Sequence, residues 1–501
     1  MTEELPGGWG PTLADLAERR RAARAMGGAQ RLEKHRASGR MDARARVERL
    51  LDPGSFREIG TLVGSDVPAD AIVTGSGRIS GRPVMVGAED FTTLAGTIAS
   101  GSNSKRYRIA ELALRERMPL IMLLEGAGFR PQGAGHGRSP TDLIMQAQCS
   151  GRVPVVTGIL GASAGHGALI APMSDFAIMT EQASVFTAGP PVVKDSTGED
   201  VSKHDLGGPR VAVASGLIHN EAPDDISALD EIRRYLSYFP SSAWSYPPRL
   251  PSTDDTEGRR EVPEVLGIVP RDNRRVYDMR RVLDIVFDSG SAFEIQPGFG
   301  KAVVCRLARL GGTPVAVVAN QPQFLAGSVD ADAADKAAHF IAVADAFHVP
   351  LIFFADNPGM LPGTASERAG VLRSGARMFA AQTGARVPKI HLTLRKAYGF
   401  GSMVMSLVGW DQQSATFAYP GATMGAMGAS AQSSAAKSPE EEAAALRRAE
   451  IEASYRSAAS LGFDELIDPR ETRNVLLDAL ERALHRRQGP AEPAVRSAIW
   501  P

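Results

Sequence analysis

Two stretches of this chain are closely similar: RPVMVGAEDFTTLAG at 82–96 and TPVAVVANQPQFLAG at 313–327. Pro83 matches Pro314 at an offset of 231 (314 − 83), and the glycine that ends each stretch keeps the same offset. Each stretch is an apolar run, typical of a buried β-strand, that ends in a glycine-containing turn. The similarity therefore predicts a repeated strand-and-turn unit.

The repeat continues beyond these stretches. Pro-Leu-Ile at 119–121 recurs at 350–352 with the offset unchanged, and Arg-Val-Pro at 152–154 recurs at 386–388 with an offset of 234 (386 − 152). Landmarks that keep their order and spacing predict two copies of one domain. Because apolar runs alternate with helical patterns in both copies, we expect layered α/β units with buried strands.

Domain limits and flanking helices follow from the same pass along the chain. The polar, proline-containing stretch 248–262 is the best linker, so we predict domains at 1–255 and 256–501. Residues 11–50 carry a helical pattern, and 431–460 read as a polar loop that leads into a helix.

The composition is that of an ordinary globular protein, with 43% hydrophobic and 23% charged residues among 501. A formal net charge of -1 gives no overall attraction to nucleic acid or to an anionic membrane, so we expect neither partner. No 18-residue apolar run or signal-peptide pattern occurs, and we expect a cytoplasmic protein. Cys149 and Cys305 form no CxxC pair, which predicts buried thiols and no metal site.

Several longer motifs resemble a known family. In order along the chain they are ARARVERLLDPGSF at 43–56, FTAGPPVVKDSTGEDVSKHDLGG at 186–208, LAGSVDADAADKAAHFI at 325–341, NPGMLPGT at 357–364, VPKIHLTLRKAYG at 387–399 and IDPRETR at 467–473. Together they resemble the carboxyltransferase (β) subunits of biotin-dependent propionyl-CoA and acetyl-CoA carboxylases. The resemblance covers roughly residues 30–485.

The resemblance implies an α/β fold of two tandem crotonase-like (ClpP/crotonase) ββα-superhelix domains. It also implies transfer of a carboxyl group from N1-carboxybiotin to the α-carbon of an acyl-CoA. The biotin would be carried by a biotin carboxylase/biotin carboxyl carrier subunit, because the chain has no ATP-grasp-like glycine loop and no Met-Lys-Met biotinylation site. A homo-hexamer, a trimer of dimers with active sites between an N-domain and a C-domain, and a reaction without metal are also implied.

The family chemistry passes through a thioester enolate, which backbone N–H donors can hold in an oxyanion hole. The matching turns predict two such holes, formed by the amides of Gly165 and His166 in the first half and of Phe400 and Gly401 in the second. By analogy with single-domain crotonases, the first hole is assigned to the thioester and the second to biotin, although the reverse assignment stays open. Since the biotin N1 anion can remove the α-proton, the resemblance requires no protein base.

Other positions are predicted to contact substrate. Gly126, Ala127, Gly128 and Arg130 match the loop that borders the CoA site, where Arg130 binds a phosphate or carboxylate, or else forms an ion pair within the protein. Lys105 begins a basic run that either binds CoA phosphates or forms a solvated helix face.

Met403 follows the second turn and lines the acyl pocket, or else packs in the core. A flexible apolar side chain in such a pocket would suit an apolar acyl group.

The chain departs from the Gly-Gly pattern of the family at both turns. His166 replaces the second glycine of the first turn, and Phe400 replaces the first glycine of the second turn. His166 either packs beside its turn or delivers a proton to an enolate, which would suit decarboxylation of a malonyl-type CoA. Decarboxylase and inactive scaffold subunit therefore remain alternatives to carboxyl transfer.

Overall fold

A computed structural model describes most of the chain in two compact units. The described residues are 6–130, 140–251, 258–409, 411–426, 433, 437, 439–442, 445–446, 452–487, 489–494 and 499. One unit comprises Met1–Ser237 with Val495–Pro501, and the other comprises Tyr238–Ala494. Part of the predicted linker and part of the predicted loop and helix at 431–460 lie outside the described residues.

The first unit is built on a mixed sheet. Its strands are β1 (Arg57–Ile59), β2 (Ile72–Ile79), β3 (Arg82–Glu89), β4 (Leu120–Leu124), β5 (Val155–Ile159), β6 (Ala162–Ala164), β7 (Phe176–Thr180), β8 (Ser184–Phe186) and β9 (Asn220–Ala222). The sheet order in the described part of this unit is β1-β2-β3-β4-β5-β7-β9, while β6 pairs with β8. The first three strands are antiparallel, and the strands from β3 to β9 run parallel.

Helices surround this sheet. They are α1 (Gly10–Arg24), α2 (Ala29–Ala37), α3 (Ala43–Leu50), α4 (Ser100–Arg115), α5 (Asp142–Cys149), α6 (Ile170–Met173), α7 (Pro190–Thr197), α8 (Lys203–Gly207), α9 (Pro209–Ala214) and α10 (Asp225–Leu236). Every residue of β4 and β5 is buried, as expected for central parallel strands covered on both faces.

The second unit repeats the plan. Its strands are β10 (Phe293–Ile295), β11 (Val303–Leu310), β12 (Thr313–Asn320), β13 (Leu351–Asn357), β14 (Lys389–Tyr398), β15 (Ala415–Ala418), β16 (Thr423–Gly425) and β17 (Glu465–Leu466). The order is β10-β11-β12-β13-β14-β15-β17 in the described residues, with β16 also pairing with β14. Its helices are α11 (Val265–Ile268), α12 (Met279–Val286), α13 (Ala331–Ala346), α14 (Thr364–Ala369), α15 (Val371–Gly384), α16 (Gly399–Val404), α17 (Ala453–Ala459) and α18 (Thr472–Leu484).

The structure confirms the predicted repeat element by element. Strands β2 and β3 and helix α4 have the same lengths as β11, β12 and α13, and the first residues of each pair keep the offset found between Pro83 and Pro314. The tight turns of the two hairpins also correspond, since Ser80 and Gly81 in one, and Gly311 and Gly312 in the other, all have positive φ. Two consecutive residues of this kind match the twist of antiparallel strands, which makes the turn a two-residue hairpin loop.

The stretch 11–50, predicted as helical, folds as three helices. Gly27 approaches Thr92 so closely that a Cβ would lie 2.1 Å from its carbonyl oxygen, and Gly28 has φ +84°. The chain therefore turns between α1 and α2. Helix α3 begins separately, with the Asp42 carboxylate accepting the amides of Arg44 and Ala45.

Among the described residues, no helix is long and apolar enough to cross a membrane. Nor do the described residues include a cluster of three or more His, Cys, Asp or Glu side chains that could hold a metal ion.

The first unit buries an acidic side chain beside its core. Asp175 is 4% exposed immediately before β7, and its carboxylate accepts the Val155 amide at 2.7 Å. Burial raises the pKa of Asp175 from 3.8 to about 7, although the hydrogen bond from Val155 opposes the shift. Because the folded pKa is raised, the stabilising effect of the neutral acid is complete below about pH 4 and is lost as pH rises through about 7.

We therefore expect Asp175→Asn to raise the midpoint of thermal unfolding by a few degrees above pH 8 or so, with the gain vanishing near pH 4. Calorimetry or circular dichroism over this range measures the difference. Asp195→Asn, at an exposed position on α7, is the matched control and leaves the midpoint unchanged. A constant effect of Asp175→Asn at every pH would contradict the assignment.

Candidate active site

The first predicted turn joins β6 to α6. A single 3-10 turn over Gly165–Leu169 links them, and Gly165 has φ +59°, in the left-handed region that favours glycine. A Cβ on Gly165 would meet nothing nearer than the Thr187 carbonyl oxygen at 3.5 Å, so conformation, and not space, requires the glycine. Since Gly165 and His166 are the first residues of the turn, their amides have no acceptor within it. Binding of a ligand by these two amides stays a prediction.

The second predicted turn joins β14 to α16. Gly399 opens it with φ +53°, and Gly401 is packed so tightly that a Cβ would lie 2.4 Å from Asn357 Oδ1 and 2.6 Å from the Gly359 Cα. Phe400 lies between these glycines. The amides at the start of α16 likewise have no acceptor within the helix.

When the two turns are aligned, the two predicted donor pairs do not fall at equivalent positions. The left-handed glycines, Gly165 and Gly399, correspond at an offset of 234 (399 − 165), so His166 corresponds to Phe400. The predicted second pair, Phe400 and Gly401, is therefore displaced by one residue from the equivalent of the first pair.

His166 is held by a buried carboxylate that sequence reasoning missed. Its Nε2 lies 2.5 Å from Oδ1 of Asp142, the first residue of α5. The Asp142 side chain is fully buried, whereas that of His166 is 26% exposed. Thr141 Oγ1 lies 3.4 Å from the same ring nitrogen. These contacts fix the imidazole beside the first turn, to which His166 also contributes a main-chain amide.

A buried arginine organises this carboxylate. Arg106 has no exposed surface, and its guanidinium donates Nε to Asp142 at 2.6 Å and Nη1 to Glu89 at 2.7 Å. The other Glu89 oxygen accepts the Glu125 amide at 2.9 Å. Burial by itself raises the pKa of a carboxyl, but hydrogen bonds from His166 and the charge of Arg106 outweigh it and lower the pKa of Asp142 to about 2. Burial raises the pKa of Glu89, against the opposing charge of Arg106.

Phe400 occupies the matching place in the second unit. Its ring centroid lies 5.9 Å from that of Phe379 on α15. Gly375, one turn earlier on that helix, leaves room for the ring, because a Cβ there would lie 3.1 Å from the Phe400 edge. His166 contacts α5 and Phe400 contacts α15, so in both units the residue after the left-handed glycine contacts the preceding helix.

A buried histidine anchors the far end of α16. His391 on β14 lies with Nδ1 2.8 Å from the Met405 carbonyl and Nε2 2.7 Å from Thr393 Oγ1. Burial lowers the pKa of His391 to about 4, against the hydrogen bond to Met405. The ring is therefore neutral and structural.

The loop at Gly126, Ala127 and Gly128 follows β4. The Ala127 amide donates to the Ala95 carbonyl at 2.9 Å, and a Cβ on Gly126 would lie 2.7 Å from Glu89 Oε2. Close packing against these groups therefore explains why residue 126 must be small. A contact of this loop with substrate stays a prediction.

Arg130 forms the ion pair that was one of its two predicted roles. Its guanidinium lies 2.7 Å from Asp70 Oδ1 and donates to the Thr97 carbonyl at 2.8 Å. Its side chain is 14% exposed. Binding of a phosphate or carboxylate by Arg130 stays a prediction.

The basic run on α4 is divided, because Lys105 and Arg106 are buried whereas Arg108 is exposed and pairs with Glu111. Lys105 is 3% exposed, and its ammonium donates to the carbonyls of Ala69 at 2.9 Å and Ile72 at 2.5 Å. Lys336, its equivalent in the second copy of the repeat, is buried in the same way and donates to the Phe299 carbonyl at 2.7 Å. Burial lowers the pKa of both, that of Lys105 to about 8. The described contacts give Lys105 a role in holding the preceding loop.

Met403 is 41% exposed on α16, so it does not pack in the core. Its carbonyl accepts a hydrogen bond from Gln382 Nε2 at 3.1 Å, which fixes the backbone that carries the side chain. An accessible apolar side chain near the second turn leaves contact with an acyl group as the prediction to test.

Comparisons with known proteins identify the family. The model of the carboxyl transferase domain family matches residues 34–496. The chain is 36% identical to the methylmalonyl-CoA carboxyltransferase 12S subunit of Propionibacterium freudenreichii subsp. shermanii, over 98% of this chain and 97% of that protein. It is 37% identical to the biotin-dependent long chain acyl-coenzyme A carboxylase beta4 subunit of Mycobacterium tuberculosis, over 93% and 92%.

A further relative is named for a different outcome: the methylmalonyl-CoA decarboxylase subunit alpha of Veillonella parvula is 33% identical over 95% of this chain and 96% of that protein. Among solved structures, the transcarboxylase 12S hexamer crystallised with methylmalonyl-coenzyme A and methylmalonic acid matches with a TM-score of 0.89 and 34% identity, over 98% of both chains. The two glycine turns and these full-length matches agree, and the chain belongs to the carboxyl transferase family, with the crotonase-like fold in both of its units.

Proposed function

We propose that this chain is the carboxyltransferase subunit of a biotin-dependent acyl-CoA carboxylase. The observation that carries the proposal is the pair of left-handed glycine turns, at Gly165 and Gly399, at equivalent positions of the two units. An enolate and a ureido oxygen both need backbone donors, and the duplicated turn offers one set for each. The relatives named for propionyl-CoA and methylmalonyl-CoA support these esters as the first substrates to test.

The residues of the chain act through their main-chain amides. We assign those of Gly165 and His166, in the domain proposed at 1–255, to the thioester oxygen, where negative charge develops as the enolate forms. We assign those of Phe400 and Gly401, in the domain proposed at 256–501, to the ureido oxygen of biotin. When bound, the carboxylated biotin supplies the carboxyl group that joins the acyl α-carbon. Amides held by folded turns need no reorganisation during the reaction.

The second turn suits a compact bicyclic ring with an apolar body and one polar edge. The aromatic pair Phe379 and Phe400 lies beside amides that have no acceptor within α16. The edge of such a ring can accept these amides while its faces contact aromatic surface.

The proposed partner is a biotin carboxylase/biotin carboxyl carrier subunit. The relative with known structure is described as a hexamer, which supports the proposal that this chain also forms a hexamer, a trimer of dimers. In that proposal the N-domain of one protomer faces the C-domain of another.

The direct test measures carboxyl transfer. Purified protein is incubated with propionyl-CoA and a carboxylated biotin donor, and methylmalonyl-CoA is quantified by mass spectrometry; the reverse assay uses methylmalonyl-CoA and free biotin. We expect product only when both partners are present.

CO2 release from malonyl-type esters at the same rate with and without biotin would assign the chain to decarboxylation, the second candidate that His166 and the Veillonella relative favour. Failure of transfer with every acyl-CoA tested would favour an inactive scaffold subunit.

The packing at the second turn predicts a sharp variant. Gly401→Ala places a Cβ 2.6 Å from the Gly359 Cα, so the turn must move. We expect carboxyl transfer to fall at least ~100-fold, the loss typical when one oxyanion donor is removed, while CoA-ester binding is retained. Gly267→Ala, a helical position with no atom within 4 Å of the new Cβ, is the control and keeps full activity. Wild-type transfer by Gly401→Ala would remove this turn from the mechanism.

Met403 provides a test of acyl selectivity. We expect Met403→Trp to lower kcat/KM for butyryl-CoA about tenfold more than for acetyl-CoA, because a filled pocket penalises each added methylene. Leu461→Trp, at a position 63% exposed in the same unit, serves as the control and leaves the ratio unchanged. An unchanged ratio in Met403→Trp would place the acyl group elsewhere.

A further inference from the structure

We propose that His166 and Asp142 form a proton-transfer pair that exchanges the α-proton of a bound acyl-CoA without any biotin. The proposal rests on the proposed function for the location of the thioester at the first turn. It extends one of the two roles predicted for His166, delivery of a proton to an enolate, to removal of the α-proton, with Asp142 as the second member of the pair.

The hydrogen bond to Asp142 selects the state of the imidazole. Because the carboxylate of Asp142 accepts hydrogen bonds, the ring nitrogen 2.5 Å away, Nε2, carries a proton. In the neutral ring Nδ1 is then the basic nitrogen. Nδ1 is also the nitrogen nearer the main chain, because it is bonded to the ring carbon that carries the side-chain link. Within the described part of the chain, no hydrogen bond engages it.

Charged groups around the pair hold it in one orientation. Asp142 on α5 faces the ring directly, and Arg106 on α4 holds Asp142 by its Nε at 2.6 Å. Glu89 on β3 binds the opposite side of Arg106. Asp142 can therefore stabilise a protonated imidazole, while Arg106 keeps the carboxylate from turning away. A buried carboxylate that orients a partly exposed histidine is the arrangement used for general acid–base catalysis.

The second turn lacks any such pair among the described residues, although its backbone is equivalent. Phe400 replaces the histidine and lies against Phe379, which can neither donate nor accept a proton. The proton-transfer pair is thus confined to the turn assigned to the acyl-CoA.

The step balances without a further reactant. The Cα–H bond of the acyl-CoA breaks, its proton passes to Nδ1 of His166, and the electron pair forms the enolate, whose oxygen is held by the turn amides. The imidazolium exchanges its Nδ1 proton with water and returns a proton to the carbon. In a malonyl-type ester, loss of CO2 leaves the enolate, which takes from Nδ1 a proton that the imidazole has first acquired from water.

The test follows deuterium. Wild-type protein is incubated with propionyl-CoA in D2O without biotin, and incorporation at the α-carbon is measured by mass spectrometry. We expect exchange, and we expect His166→Gly to reduce it at least ~100-fold while the Kd for propionyl-CoA changes less than about twofold. Because His166→Gly leaves the space of the ring and the glycine of the family pattern, added imidazole should restore exchange in a saturable manner. A purely structural histidine would show no such rescue.

Asp142→Asn tests the positioning role of the carboxylate, with an expected fall in exchange rate of at least ~10-fold and no change in Kd for the ester. His485→Gln, at an exposed position at the end of α18, is the control and exchanges at the wild-type rate.

Transfer of carboxyl groups by wild-type protein that shows no exchange would overturn this inference and leave the proposed function standing. Exchange without carboxyl transfer would support the proton-transfer pair and contradict the proposed function. Undiminished exchange in His166→Gly, or loss of exchange that imidazole does not restore, would also overturn it.

Discussion

A single buried positive charge shapes the first half of the site. Arg106 has no exposed surface, and removing one partner of such a group costs about 3–5 kcal/mol, so the fold must bring two carboxylates to it. Glu89 comes from the end of β3 and Asp142 from the start of α5, and each uses its other oxygen for a further contact. Through Asp142 the charge fixes the imidazole of His166. The position of the imidazole beside the turn thus depends on neutralising a buried guanidinium.

The second unit meets the same geometric demand with neutral groups. Asn320, the equivalent of Glu89 in the repeat, accepts the Asp356 amide at 3.1 Å, just as Glu89 accepts the Glu125 amide. Asn357 Nδ2 adds a hydrogen bond of 3.0 Å to the same oxygen. The connection between neighbouring strand ends is therefore common to both units. Beyond it, the first unit carries the Arg106 network, whereas the second unit pairs Asp356 with Arg395 and places an aromatic pair beside its turn.

The sequence predicted the duplicated fold well because the signals are local. Buried strands, two-residue hairpin turns and left-handed glycines such as Gly165 and Gly399 are specified by short stretches, and a constant spacing relates them. The break between α1 and α2 is equally local, since Gly27 and Gly28 interrupt a helical pattern that otherwise continues on both sides of them.

The charge network could not be predicted in this way. Asp142 lies 24 residues before His166 on a different element, and no periodicity relates them. The basic run that begins at Lys105 shows the same limit. The sequence shows which residues are charged. Which of them is buried depends on carbonyl groups of other segments, such as that of Ala69, that lie close in the fold. Contacts made across elements are decided by tertiary packing.

Main-chain donors have an evolutionary consequence. An amide at the start of a turn survives almost any replacement of its own side chain, provided that the glycine before it keeps the backbone in place. After the duplication, natural selection could therefore vary the residues now found as His166 and Phe400 without dismantling either donor set. In such a scaffold, changing one codon per half alters the chemistry beside a donor set without moving the donors themselves.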